Sequence, residues 1–144
     1  MSLHRALLLF VLLGAAPAPA QTPEPGIVRF ADELQYKGLP GTPQFSVLYG
    51  DASKPELYVM RVKFAPGVKV LPHWHPEQVR IVTVLSGTFY YAFGDKWDES
   101  KLRQMPPGTM FTEPAREPHF AWAKDDVILQ LTSIGPTGTV ELKE

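Results

Sequence analysis

Histidine is the residue type in this chain best placed to do chemistry. There are four histidines. His4 lies in an apolar N-terminal segment, and the others are His73, His75 and His119. Two of them stand one residue apart in Val70-Leu71-Pro72-His73-Trp74-His75. On a strand, residues i and i+2 share a face, so both imidazoles can aim at one point while Trp74 faces away. Imidazole is the commonest protein ligand for transition metals, which makes the pair a candidate metal site. Taken alone, it reads first as two polar side chains on an exposed strand face. Cysteine is absent, which removes disulfides, thiolate ligands and a cysteine nucleophile. Any bound transition metal must therefore be held by nitrogen and oxygen donors. No G-x-S-x-G elbow and no phosphate-cradling glycine loop is present.

The elements that must position these residues read as short strands. Leu57 to Phe64 alternates: Tyr58, Met60, Val62 and Phe64 face one way, Arg61 and Lys63 the other. Arg80 to Leu85 and Thr88 to Phe93 are rich in β-branched and aromatic residues, and Ser86-Gly87 between them predicts a hairpin turn. Met110 to Thr112, His119 to Ala123 and Val127 to Ser133 are further strands, bounded by Pro106-Pro107-Gly108, Pro114 and Gly135-Pro136. The one helix-like stretch, Lys96 to Leu102, is short. Many short strands with regular punctuation predict an all-β sandwich or barrel. Most of the tryptophans and tyrosines fall within this strand pattern and read as packing rather than as a stacking platform for bases.

Composition sets the frame. The 144 residues suffice for one domain, and the balance of 44% hydrophobic and 20% charged residues is that of a globular protein. A net charge of −1 gives no sign of nucleic-acid binding or of an anionic membrane partner. At the N-terminus, His4 and Arg5 precede the apolar run Ala6 to Ala16, and Ala18-Pro19-Ala20 offers the small–x–small pattern of a cleavage site. The run is well short of the roughly 20 residues a membrane span requires, and Pro17 and Pro19 would break a longer helix. The expectation is a signal peptide over 1–20, a Pro-rich N-terminal arm and first strand over 21–43, and a β-barrel over 44–144. The mature protein is then periplasmic or secreted, with no membrane anchor.

The spacing of the histidines adds a further frame. Gly67, five residues, His73, one residue, His75, and then Gly87 after an apolar strand resembles the first motif of the cupin superfamily. Gly108, five residues, Pro114 and then His119 resembles the second. The resemblance spans Leu57 to Ser133. It implies a single-domain antiparallel jelly-roll barrel of the small type-2-like kind, often a homodimer, with a divalent metal near its centre. It also implies His73, His75 and His119 as metal ligands.

The family's fourth ligand, a glutamate, falls on Arg80. A guanidinium stays charged and cannot ligate a metal. At 6 Å from a dication, its repulsion would be on the order of 5 kcal/mol at an effective dielectric near 20. Arg80 must therefore turn aside, pair with a carboxylate, or meet an anion that also touches the metal. Glu77, Glu113 and Glu117 are the acidic candidates nearby in sequence, and Glu77 is also a candidate ligand, though Pro76 constrains its approach. Arg116 stands where the second motif usually has a glycine, and Ala123 where an asparagine often follows.

Three functions fit this reading. In the first, the protein is a dioxygenase-like metalloenzyme whose three histidines leave metal positions open. Arg80, with Arg116 as second candidate, would then bind a small anionic substrate. In the second it is a non-catalytic cupin that binds or senses a small molecule or metal. In the third the barrel has lost its metal and Arg80 is tied to a glutamate as a buried ion pair. All-nitrogen ligation suits iron, zinc, copper or nickel.

Overall fold

The computed structural model describes residues 25–142. The expected signal peptide lies outside the described residues. Alternation of apolar side chains builds two facing antiparallel sheets of five strands each. The first sheet runs β1 (Gln44–Tyr49), β2 (Leu57–Phe64), β9 (Val127–Ile134), β4 (Val79–Ser86) and β7 (Met110–Pro114). The second runs β10 (Val140–Glu141), β3 (Lys69–Trp74), β8 (His119–Ala123), β5 (Phe89–Phe93) and β6 (Arg103–Met105). Most successive strands alternate between the sheets, which is the jelly-roll way of closing a β-sandwich.

Period-two burial decides which face is inside. On β2, Tyr58, Met60, Val62 and Phe64 are buried and the residues between them are not, as expected from the alternation. On β9, Val127, Leu129, Leu131 and Ser133 face in, and on β4 Arg80, Val82 and Val84 do. The hydrophobic ones among these side chains meet Phe89, Tyr91, Ala121 and Ala123 of the opposite sheet in one core. A fully buried valine or phenylalanine contributes about 1.5–3 kcal/mol, so this core is the main source of stability.

The Ser86-Gly87 turn is not a hairpin. β4 and β5 belong to different sheets and do not pair. The register of β4 against β9 shifts between Val84 and Ser86, a bulge that bends the end of the strand away from its own sheet. Gly87 then takes φ +86°, where a Cβ would collide with the carbonyl oxygen of Asp126. The chain is thereby carried across the sandwich.

The helix-like stretch is a single 3-10 turn, Glu99–Lys101, whose N-cap Asp98 accepts from the backbone N–H of Ser100. The excursion that contains it, Gly94 to Leu102, folds over the outer face of β8. There Trp97 packs on Phe120, with ring centroids 5.2 Å apart. Phe120 is fully buried although it points away from the barrel interior. Its burial fixes the strand that carries His119.

Candidate metal centre

His73 and His119 are direct cross-strand partners on β3 and β8, and His75 lies just past the end of β3. A register shift between Val70 and His73 lets both residues face the interior although they are three positions apart. The three rings gather with centroids 4.4–5.0 Å from one another. One ligating nitrogen from each lies within 4.8 Å of the others.

The orientation of each ring is fixed by backbone. The Nδ1 atoms of His73, His75 and His119 lie 2.8, 2.7 and 2.9 Å from the carbonyl oxygens of Leu71, Gly138 and Glu117. A carbonyl can only accept, so each Nδ1 carries the proton and each Nε2 keeps its lone pair for a ligand. Burial, reinforced by the Arg80 charge, pushes the His75 imidazole down to about 3. Burial and His73 push His119 down to about 4. His73 is lowered by the same desolvation. All three are neutral near pH 7, the form that binds metal.

The opposite sheet supplies the charges. Arg80 on β4 and Glu113 on β7 are cross-strand partners, and both face the histidines. Arg80 pairs with a carboxylate, one of the outcomes its position required, and the principal partner is Glu77. Oε1 of Glu77 lies 2.9 Å from Nε and 2.7 Å from Nη2 of Arg80. The same oxygen accepts from the Tyr58 hydroxyl at 2.9 Å. Nη2 also donates to Thr137 Oγ1 at 2.6 Å and to the Gly138 carbonyl at 3.2 Å. Burial would raise the Glu77 carboxyl, but Thr137 and the Arg80 guanidinium hold it below the usual range. Glu77 is thus turned to Arg80 and Tyr58, and the ligand role considered for it is not the one its contacts describe.

Glu113 occupies the space between. Its Oε2 lies 3.6 Å from His75 Nε2, its Oε1 3.6 Å from His119 Nε2, and Arg80 Nη1 stands 3.8 Å from Oε2. Burial raises its carboxyl to about 7, against the pull of Arg80. A cavity of about 500 Å³ opens above these groups, walled by apolar side chains such as Met60, Val62, Leu129 and Leu131. Ala121, one inward position beyond His119, leaves room beside the rings. Tyr91 also lines the cavity, and its buried hydroxyl has no hydrogen-bond partner.

The cupin-domain family model matches residues 60–135, more than half of the chain. The chain belongs to the cupin family. Solved structures agree with this assignment. KdgF from a Halomonas species shares 25% identity at a TM-score of 0.60, over 76% of this chain and 94% of the other. An RmlC-like cupin from Shewanella frigidimarina shares 19% at a TM-score of 0.60, over 74% and 87%. Salicylate 1,2-dioxygenase from Pseudoaminobacter salicylatoxidans, bound to gentisate, shares 16% at 0.58, over 76% of this chain but 31% of that one. No curated protein matches the sequence.

In this cupin the donor set fits a transition ion. Three neutral imidazoles converge with their remaining lone pairs inward, and His119 Nε2 is a buried polar atom without a hydrogen-bond partner. An unpaired buried acceptor costs about 1–3 kcal/mol, a cost that a bound cation removes. Arg80 is among the residues that line the cavity. Arg116 is exposed in the β7–β8 turn and is not among the lining residues. Its φ of +59° is the left-handed conformation that the family's glycine at this position would adopt without strain. Its backbone N–H donates to the His75 carbonyl at 2.9 Å, tying that turn to the histidine loop. Tyr91 was not distinguishable from core aromatics in the sequence, although its inward parity with Phe89 on β5 was a signal.

Proposed function

We propose that this cupin is an exported metalloenzyme of the oxygenase-like kind, acting on a small anionic organic substrate. The observation that carries the reading is the convergence of three backbone-oriented imidazoles at a cavity of about 500 Å³. A site that only stored metal would need no such space. His73, His75 and His119 would hold iron, zinc, copper or nickel, and the ion would supply Lewis acidity or dioxygen activation.

The remaining residues shape the substrate's surroundings. The apolar walls exclude water and strengthen each electrostatic contact inside. Arg80 gives the cavity its cation, held in place by Glu77 and Thr137, so a carboxylate or enolate is oriented toward the histidines. Tyr91 offers an unpaired hydroxyl to a substrate oxygen. Export rests on the apolar leader and the Ala18-Pro19-Ala20 pattern. Homodimer formation is supported by the exposed apolar Val47 on edge strand β1, beyond the point where Lys37 pairs with Phe45.

The test is elemental analysis of protein recovered from the periplasm or medium, beside His73→Ala. About one equivalent of a transition metal is expected in the native protein and little in the variant. Dioxygen uptake is then followed with small organic acids, gentisate among them. Native protein that folds and takes up no metal on titration would refute the reading. Metal without turnover of any acid would reduce it to a binding protein. Intact mass of the recovered chain reports cleavage after Ala20.

A further inference from the structure

The charges in the site leave one carboxylate over. Arg80 is already matched, because its Nε and Nη2 both rest on Glu77 Oε1 at 2.9 and 2.7 Å. Glu113 is buried, yet it reaches the guanidinium only through Nη1 at 3.8 Å, beyond hydrogen-bond range. Its two oxygens are divided instead between two imidazoles, each 3.6 Å from an Nε2. These are not hydrogen bonds either, and each imidazole already spends its proton on a backbone carbonyl. A buried carboxyl whose two oxygens each face an imidazole lone pair without a hydrogen bond is an arrangement that a cation between them would satisfy.

Two donors each about 2.1 Å from one ion stand roughly 3.0–3.4 Å apart, so each Glu113 oxygen, at 3.6 Å from its nearer Nε2, lies a few tenths of an ångström outside that spacing and reaches it by a small side-chain shift. We propose that Glu113 is the fourth ligand of the metal, so that a carboxylate expected from β4 is supplied by β7, one rung across the ladder. The inference rests on the metal reading above. Arg80 and Glu113 are register partners, so a carboxylate moved from one to the other stays on the inner face. Arg80 then keeps its charge beside the metal because Glu77 neutralises it. The donor set becomes three nitrogens and one carboxylate oxygen, which moves the site away from copper and toward iron, manganese, nickel or zinc.

Affinity is measured by competing Zn²⁺ or Co²⁺ against a chromophoric chelator, and the visible absorption of bound Co²⁺ reports its ligand set. Glu113→Gln keeps the shape of the side chain and its polar tip, so the variant should fold. It is expected to bind at least tenfold more weakly, with an altered Co²⁺ spectrum. Adding Arg80→Glu to Glu113→Gln returns a carboxylate to β4 and should recover much of the affinity. Glu113→Asp, which keeps the charge on a shorter stem, serves as the second variant and should also change the spectrum. A Co²⁺ spectrum unchanged in Glu113→Gln overturns the proposal, whatever the affinity, and leaves the three-histidine centre standing. Native protein that binds neither ion overturns the metal reading itself, a distinguishable result.

Discussion

The Arg80–Glu77 pair makes a prediction whose size follows from the geometry. Both side chains are buried, and one oxygen of Glu77 takes hydrogen bonds from Arg80 Nε and from the Tyr58 hydroxyl and an ion-pair contact from Arg80 Nη2. Glu77→Leu leaves the guanidinium without its closest counter-charge, and breaking one partner of a buried pair costs about 3–5 kcal/mol. It also leaves the fully buried Tyr58 hydroxyl without its acceptor, at roughly 1–3 kcal/mol. Glu113, at 3.8 Å, recovers part of the loss. A net destabilisation of about 4 kcal/mol is therefore expected. Arg80→Met should cost about 3 kcal/mol, because Glu77 keeps Tyr58 and loses the stronger donors. The double variant, apolar at both positions, should cost only about 2 kcal/mol, leaving a coupling energy near 5 kcal/mol. Urea unfolding followed by tryptophan fluorescence, with a chelator present throughout, measures all four corners of this cycle. A double variant that costs the sum of the two singles would refute the reasoning. So would a Glu77→Leu loss below about 1 kcal/mol, since solvent rather than Glu77 would then be balancing Arg80.

Two further outcomes are expected. Phe120→Ala empties a fully buried site under Trp97 and should cost about 3–5 kcal/mol by urea unfolding. It should also weaken metal binding, because β8 carries His119; intact metal affinity would show that the covering excursion does not hold that strand in place. Arg116→Gly removes a side chain from a left-handed backbone position and should stabilise by up to about 1 kcal/mol. A loss of stability there would mean that the Arg116 side chain, and not only its backbone N–H, holds the turn.

What was legible in the sequence followed parity. β2 and β9 announce themselves because nearly every second residue is apolar, and a strand buried on one face needs that pattern, whereas β8 is apolar on both faces. The same parity put His73 and His75 on one face, and the motif spacing brought His119 to them. Edge strands carried no such signal. β6 and β10 are three and two residues long, and their pairing with β5 and β3 is set by tertiary register. The Ser86-Gly87 turn misled for a related reason. A glycine with positive φ reverses a chain equally well within a sheet or between two, and the deciding bulge lies in the ladder of β4 with β9. Glu113 was visible as a partner for Arg80 but not as a neighbour of the histidines. That second relation needs the β4–β7 register, although an acid two positions from inward Phe111 on the same strand was a usable hint.

The substitution of arginine for a ligand glutamate is costly only if the rest of the site stays as it was. An arginine facing three imidazoles and a dication adds one charge and removes one, a change of two units in a buried space. This chain contains two buried glutamates within reach of that arginine, and they do different things. Glu77, three residues before it, cancels the new charge through a pair closed within one connection of the fold. Glu113, on the neighbouring strand, faces the histidines with both oxygens and offers the site a carboxyl group in place of the one lost. Neither alone would suffice: Glu77 without Glu113 leaves the metal with three neutral ligands, and Glu113 without Glu77 would be drawn to the guanidinium. The two acids therefore belong to a single compensation, and variants of either should be read against the other.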